Sequence, residues 1–342
     1  MVMGRCRAFA LAAGALFLCL QAGYAAPSAA ETSEVRFAQL FGLTYLPAYV
    51  VYEEKLIEKH AVRLGIPAPK VTSAKLTSGP ASNDALIAGS VDIAMGGVTV
   101  LMTLWDKTQG TMNVRGVTSL CGSPIFLMTV DPRIKSIKDF QEGDRIAVSS
   151  VKVTIQALVL NLAAAREWGW EERFKLDPLA VSMSHPLSIA ALKSGKLEVK
   201  NYAAIVPYNY EVLAGGNARQ LLTSYELMGG EHSTAAMWAA ETWVKANPKT
   251  YEAVVAAFEE AMERIKADPQ TAAQTYAKWE VSTLKPEDVV RIITNPADIT
   301  FSATPNKSLV LAETMYKIGL LKKKPAAWTD YFHYALHSRT GS

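Results

Sequence analysis

The chain has 342 residues, 50% of them hydrophobic and 20% charged, with a formal net charge of +3. This is length enough for one large or two ordinary domains, and ordinary usage for a soluble folded protein, which excludes disorder as the dominant state. So small a net charge gives no overall field to gather nucleic acid or an anionic surface.

The first segment reads as a leader. Arg5 and Arg7 precede an apolar run over residues 8–20, and small residues follow to Ala26. A basic start, an apolar stretch too short to span a bilayer and a small-residue cleavage site predict an export signal over residues 1–25. Leu18, ahead of Cys19, is too bulky for lipoprotein processing. Cleavage removes Arg5 and Arg7, which takes the charge from +3 to +1, and it removes Cys6 and Cys19. Cys121 is then the single thiol, so no internal disulfide forms and the exported chain relies on its core.

Residues 35–40 alternate as a strand that stops at Gly42, and Pro47 suits the first turn of a helix reaching about His60. A strand over 71–76, a helix over 83–88 closed by Gly89, a buried strand over 91–95 and a helix from Val98 to about Trp105 follow. Residues 114–120 and 125–130 read as apolar strands separated by Cys121-Gly122-Ser123-Pro124. A second strand-helix series starts at 145–148, with helices over 154–168 and 186–193, strands over 179–183 and 202–206, and a short helix from Pro207. Residues 220–227 read as an extended return crossing. Beyond Gly229-Gly230 the spacing is helical, over 239–247, 249–267, 269–279, 287–293 and 308–318, with proline breaks.

Strands alternating with helices predict an α/β fold with mostly parallel sheets, and two such units predict two lobes with a cleft between them. The expected division is 34–121 for the first lobe, 122–224 for the second, and 225–342 for the return, its helical tail packed outside the first lobe.

Six times a strand ends in small or polar residues and opens a helix: at 41–47, 78–83, 95–99, 149–154, 183–186 and 205–208. The first N–H groups of a helix lack internal partners and lie at the positive end of its dipole. In open α/β sheets ligands settle at this end, so convergent helix starts would hold a carboxylate or sulfonate without a metal. Lys152, in a Ser-Ser-Val-Lys-Val-Thr turn, is the cation best placed to join them, and Thr154 is the helix cap whose hydroxyl also serves a ligand. His185, ahead of Pro186, is a ligand contact or an N-cap. Tyr45 and Tyr208 follow strand ends in opposite lobes, where they close over a ligand or pack in the core.

Signatures of hydrolase elbows, zinc proteases, phosphate loops and dinucleotide folds are absent. His333 and His337 are the one histidine pair at metal-ligand spacing, four apart in a Tyr/Phe-rich terminal stretch without a cysteine, which is too little to read as a zinc site. The 322–324 lysine run reads as a solvated helix end. No cofactor or metal is expected.

The order of motifs resembles the nitrate/sulfonate/taurine-type solute-binding proteins of ABC importers. The resemblance is carried by Leu46-Pro47-Ala48-Tyr49-Val50, by Asn83-Asp84-Ala85-Leu86-Ile87-Ala88-Gly89-Ser90-Val91-Asp92-Ile93-Ala94, by Ile137-Lys138-Asp139-Phe140 before Arg145-Ile146-Ala147-Val148, and by Ala190-Ala191-Leu192-Lys193-Ser194-Gly195. It implies a two-lobed type II periplasmic-binding fold: a non-enzymatic, monomeric periplasmic carrier that closes on a small organic anion and delivers it to an inner-membrane permease. By position it implies ligand contacts at Thr44, Tyr45, Gly97, Val98, Thr99, Ser123, Lys152, Thr154, His185 and Tyr208. The turn Val151-Lys152-Val153 and the segment Lys200-Asn201-Tyr202-Ala203-Ala204 depart from the family pattern. Two rivals stand beside this reading: an enzyme attacking a thiamine-precursor-like heterocycle through Cys121, and a module reporting its ligand to a sensor kinase.

Overall fold

Runs of apolar residues bounded by strand-to-helix turns sort into two sheets. The computed structural model describes residues 31–195 and 198–342, so the leader expected over residues 1–25 lies outside the described residues. In chain order the strands are β1 (Glu34–Gln39), β2 (Lys70–Lys75), β3 (Ile93–Gly97), β4 (Arg115–Gly122), β5 (Phe126–Thr129), β6 (Arg145–Val148), β7 (Ala180–Ser182), β8 (Val199–Ala204), β9 (Arg219–Thr223), β10 (Ser233–Ala239) and β11 (Thr300–Phe301). One sheet has the order β11-β4-β10-β3-β1-β2 and the other β7-β6-β8-β5-β9.

The two sheets share one plan. In the first, β1 runs parallel to β2 and β3, and β10 is inserted antiparallel between β3 and β4. In the second, β6 runs parallel to β7 and β8, and β5 is inserted antiparallel between β8 and β9. Each antiparallel strand is the one laid down as the chain arrives from the other sheet. Strands paired on both sides and covered on both faces are buried throughout: all of β10 and nearly all of β3 and β4 are inaccessible to water.

The connections obey local chemistry. Pro47 sits in the first turn of the helix Leu46–Glu53, where its missing N–H costs nothing. Ser78 caps Gly79–Ile87 by accepting from the amide of Ala81, and Thr154 caps Ile155–Trp168 by accepting from that of Ala157. The long helix Pro248–Ala267 packs its apolar face against Leu46–Glu53 and Leu56–Arg63, while Ser308–Lys317 packs against Val98–Lys107. The C-terminal helices therefore cover the first lobe, as the sequence suggests.

Three elements differ from the sequence reading. The helix expected from Pro47 to His60 is two helices, Leu46–Glu53 and Leu56–Arg63, hinged at Lys55, whose φ of 53° is left-handed. Residues 220–227 are not one extended crossing: β9 ends at Thr223, whose hydroxyl accepts from Glu226 N–H and starts the helix Ser224–Met228. The chain is not wholly helical after Gly230. The run Ser233-Thr-Ala-Ala-Met-Trp-Ala forms β10 in the middle of the first sheet, although serine and alanine carry little strand preference; ladder partners on both sides override that local weakness. The two-residue β11 likewise escapes the periodicity.

The chain passes between the sheets twice, at residues 123–125 and 224–232, and the two passes are hydrogen-bonded to each other. The backbone N–H of Ser123 donates to Thr234 Oγ1 at 3.0 Å, and that hydroxyl donates back to the Ser123 carbonyl. Ile125 N–H donates to Ser224 Oγ at 2.9 Å, and Ser224 N–H donates to the Ile125 carbonyl. Ser224 Oγ in turn lies 2.8 Å from His232 Nε2, while His232 Nδ1 donates to the Ser233 carbonyl, so the imidazole is the Nδ1–H tautomer accepting from serine.

Packing is closest where β4 meets the C-terminal segment. A Cβ added at Gly116 would lie 2.3 Å from Cδ1 and 2.4 Å from Cε1 of Phe332, a fully buried ring whose backbone bridges to Gly116. Gly116→Ala is therefore expected to lower stability by roughly 1–3 kcal/mol, the usual cost of overpacking. Urea unfolding checks this, and an unchanged midpoint would show that the ring yields freely.

Candidate functional site

Helix starts from both lobes meet at one hollow. Its cavity volume is about 30 Å³, room for a water molecule or two, so the hollow is nearly closed here and must widen to admit an organic guest. The first lobe supplies Leu40, Thr44 and Tyr45 ahead of Leu46–Glu53, Gly79 in the first turn of Gly79–Ile87, Gly97 before Val98–Lys107, and Thr234 with Ala235 from β10. The second lobe supplies Ser149, then Thr154, Ile155 and Gln156 at the start of Ile155–Trp168, His185 at the start of His185–Ser194, and Ile205. Five helices of eight residues or more thus begin at this hollow.

The lining is hydroxyl, amide, imidazole and aliphatic, and no lysine, arginine, aspartate or glutamate lines it among the described residues. The Oγ1 of Thr44 is buried without a hydrogen-bond partner, a donor left over for something else. Ser149 Oγ faces Gln156 Oε1 at 3.3 Å. His185 stacks on Tyr208 with ring centroids 5.3 Å apart and planes inclined by 16°, and burial depresses its pKa to about 4, so it is neutral at physiological pH.

The loop that carries Thr44 and Tyr45 is held from below. The carboxylate of Glu280, buried at the end of the C-terminal helix Pro269–Trp279, accepts from Gly42 N–H at 3.2 Å and from the Tyr49 hydroxyl, and pairs with Lys75 Nζ at 3.3 Å. Gly42 has a φ of 106°, and a Cβ there would lie 3.2 Å from the Val206 carbonyl across the lobe boundary, so glycine is needed.

Other contacts draw the lobes together. Leu43 N–H donates to the Val206 carbonyl at 3.3 Å, and Thr99 Oγ1 donates to the Val153 carbonyl at 3.0 Å. Outside the hollow, Tyr210 donates to Asp298 Oδ2 at 2.7 Å and Ser282 Oγ donates to Glu211 Oε1 at 3.0 Å.

Of the ten residues that the sequence suggests as contacts, Thr44, Tyr45, Gly97, Thr154 and His185 line the hollow. The others lie elsewhere. Val98 is buried core, Thr99 bridges the lobes, Ser123 belongs to the crossing, where its Oγ also donates to the Asp298 carbonyl, and Tyr208 backs His185. Lys152 is exposed, with a left-handed φ of 70°, and its charge acts on the Asp177 carboxyl instead. The positive φ turns the lysine out to solvent while Thr154, two residues on, turns in. Nine lining residues were not foreseen: Leu40, Gly79, Val100, Ser149, Ile155, Gln156 and Ile205 lie in or beside the junctions already marked, whereas Thr234 and Ala235 lie on the unforeseen β10.

Cys121 is fully buried in β4 and burial holds its thiol well above the usual range, so it lacks the exposed thiolate that a nucleophile requires. His333 and His337 do not share a helix face. His333 Nε2 bonds the Ala239 carbonyl and His337 Nε2 the Phe332 carbonyl, and no group of three metal-ligating side chains exists among the described residues. No helix there is long and apolar enough to cross a membrane.

Two sheets of like plan joined by two crossings, with helix starts facing one hollow, define a two-lobed type II binding-protein fold. The chain belongs to the NMT1-like family, whose model matches residues 28–281. Solved structures agree on the fold. The alkanesulfonate-binding protein SsuA of Xanthomonas axonopodis pv. citri, bound to MOPS, superposes with a TM-score of 0.68 at 19% identity, over 86% of this chain and 96% of that one. The periplasmic nitrate-binding protein NrtA of Synechocystis PCC 6803 gives 0.67 at 17% identity, over 89% and 85%. The periplasmic aliphatic sulphonate-binding protein SsuA of Escherichia coli gives 0.65 at 18%, over 89% and 93%. No curated protein sequence matches significantly.

His185, His232 and His333 are all buried, and burial lowers each pKa from 6.5 to about 4. A group whose folded pKa is depressed binds protons more readily unfolded, so stability is complete above about pH 6.5 and is lost as pH falls from there toward 4. Unfolding free energy is expected to be flat above pH 7 and to drop by about 2 kcal/mol per imidazole at pH 5. Denaturant titrations at pH 7.5 and 5 test this; equal values would mean that the imidazoles protonate freely in the folded protein.

Proposed function

We propose that this chain is the extracytoplasmic solute-binding protein of an ABC import system, which captures a small organic anion between its lobes and hands it to a membrane permease. The observation that carries the reading is the hollow itself. Five helix N-termini supply unpaired N–H groups and positive dipole ends, while Leu40, Val100, Ile155 and Ile205 supply an apolar wall. Such a lining fits a guest with a negatively charged head and a carbon body. The sulfonate and nitrate guests in the names of the structural relatives have the same charge.

In this reading the leader over residues 1–25 sends the protein to the periplasm, where it acts as a monomer without metal or cofactor. Its lobes divide near residues 122 and 224. Contacts such as Leu43 to Val206 and Thr99 to Val153 exist only when the lobes are together, so a guest touching both sides favours closure by stabilising them jointly. No catalytic group is required: Cys121 is fully buried, with no access to a substrate.

Calorimetry with alkanesulfonates, aliphatic carboxylates and their neutral amide counterparts tests the proposal. An anion is expected to bind at least tenfold more tightly than its amide; equal affinities would overturn the anion reading. Thr44→Val removes a hydroxyl that has no partner in the protein, so it should leave the melting temperature unchanged while weakening the anion roughly tenfold. Lys152→Ala should leave affinity unchanged. A large loss on Lys152→Ala would mean that the lysine swings into the cleft.

A further inference from the structure

His185 is the one ring in the hollow that can present an N–H donor, and whether it does depends on which nitrogen carries its proton. Nδ1 lies 2.5 Å from the hydroxyl of Tyr202, a residue of β8 that is fully buried and takes no part in lining the hollow. Burial and the nearby Glu211 carboxylate both oppose ionisation of this phenol, which therefore keeps its proton. With the phenol keeping its proton, Nδ1 is the acceptor within hydrogen-bond distance of it. The imidazole must then carry its hydrogen on Nε2, the nitrogen away from Tyr202.

We propose that Tyr202 is a positioning residue that locks His185 in the neutral Nε2–H form, so that the second lobe offers the guest a directional, uncharged donor. Tyr208, stacked on the opposite side of the ring, fixes its plane, and Pro186 with the helix start fixes its backbone. The guest must present a hydrogen-bond acceptor there, and a sulfonate or carboxylate oxygen satisfies it. Because the donor is neutral, its contribution depends on direction rather than on net charge, which suits a hollow without ionised side chains. The arrangement is also economical in reorganisation, since the donor is set before the guest arrives. The ligand part of this inference rests on the function proposed above, and the tautomer part does not.

Two measurements on the full mature chain separate those parts. Long-range proton–nitrogen correlation spectra of ligand-free, ¹⁵N-histidine-labelled protein report the tautomer directly, with the His185 signals identified by their loss in His185→Gln. The wild type is expected to show a bare Nδ1 and a protonated Nε2, and Tyr202→Phe a mixture. A protonated Nδ1 in the wild type, or the same tautomer in Tyr202→Phe, overturns the lock. Calorimetry at pH 7.5 with 1-pentanesulfonate is the second arm. Tyr202→Phe is expected to lose roughly fivefold and His185→Ala roughly tenfold or more, whereas His185→Gln, which keeps an N–H donor, loses less than the alanine variant. Equal affinity for the wild type and His185→Ala would remove the imidazole from the site. Should neither pentanesulfonate nor any other anion bind the wild type, the functional reading fails while the spectra still decide the tautomer.

Discussion

Two short passes of backbone, at residues 123–125 and 224–232, bear the whole arrangement. The first is buried throughout and the second at its two ends, Ser224 and His232, and a buried N–H or carbonyl left unpaired costs on the order of 1–3 kcal/mol. The chain meets this demand by bonding one pass to the other. Ser123 exchanges hydrogen bonds with Thr234 on β10, just beyond the second pass, and Ile125 with Ser224, while Ser224 donates to His232 at the far end of its own pass. The hydroxyls of Thr234 and Ser224 thus tie the two passes together where they leave the sheets. The cleft, the helix starts around it and the coincidence of their N-termini all follow from this pivot.

On that frame the recognition chemistry is spread over backbone and neutral groups. The buried charges sit one layer back: Glu280 with Lys75 and Tyr49 beneath the loop of Thr44, and Glu211 with Ser282 behind Tyr208. A carboxylate lining the hollow would repel an anion, and a lysine there would hold one too indiscriminately to select its shape. Kept behind the wall, the same charges fix the loops that line the hollow. Desolvating Glu280 is tolerable because three donors converge on it, two of them from the residues it holds in place.

Much of this was legible in the sequence where local chemistry decides. Pro47, Ser78, Thr154 and Pro186 each mark a helix start by a mechanism that needs no tertiary partner, and their junctions supply most of the hollow. Legibility failed where the decision is global. Ser233-Thr-Ala-Ala-Met-Trp-Ala becomes a strand because β3 and β4 leave a slot of its width, and nothing in its own residues says so. Thr234, carried on that strand, was invisible for the same reason. Lys152 shows the converse error: a cation in a helix-start turn invites a role at the anion, but one backbone angle aims it away. Tyr202 gave no signal at all, since a tyrosine inside an apolar strand reads as core until its hydroxyl is seen against Nδ1 of His185.

The shared plan of the sheets also sets an order of assembly. All five strands of the second sheet fall within residues 126–223, a continuous stretch. The first sheet lacks its inner antiparallel member until residues 233–239 have emerged, and until then β3 and β4 hold bare edges towards each other. A chain made N-terminus first thus has all the strands of the second sheet before it has all those of the first. Until residues 233–239 arrive, the facing edges of β3 and β4 are unpaired backbone, the kind of edge along which chains stick to one another.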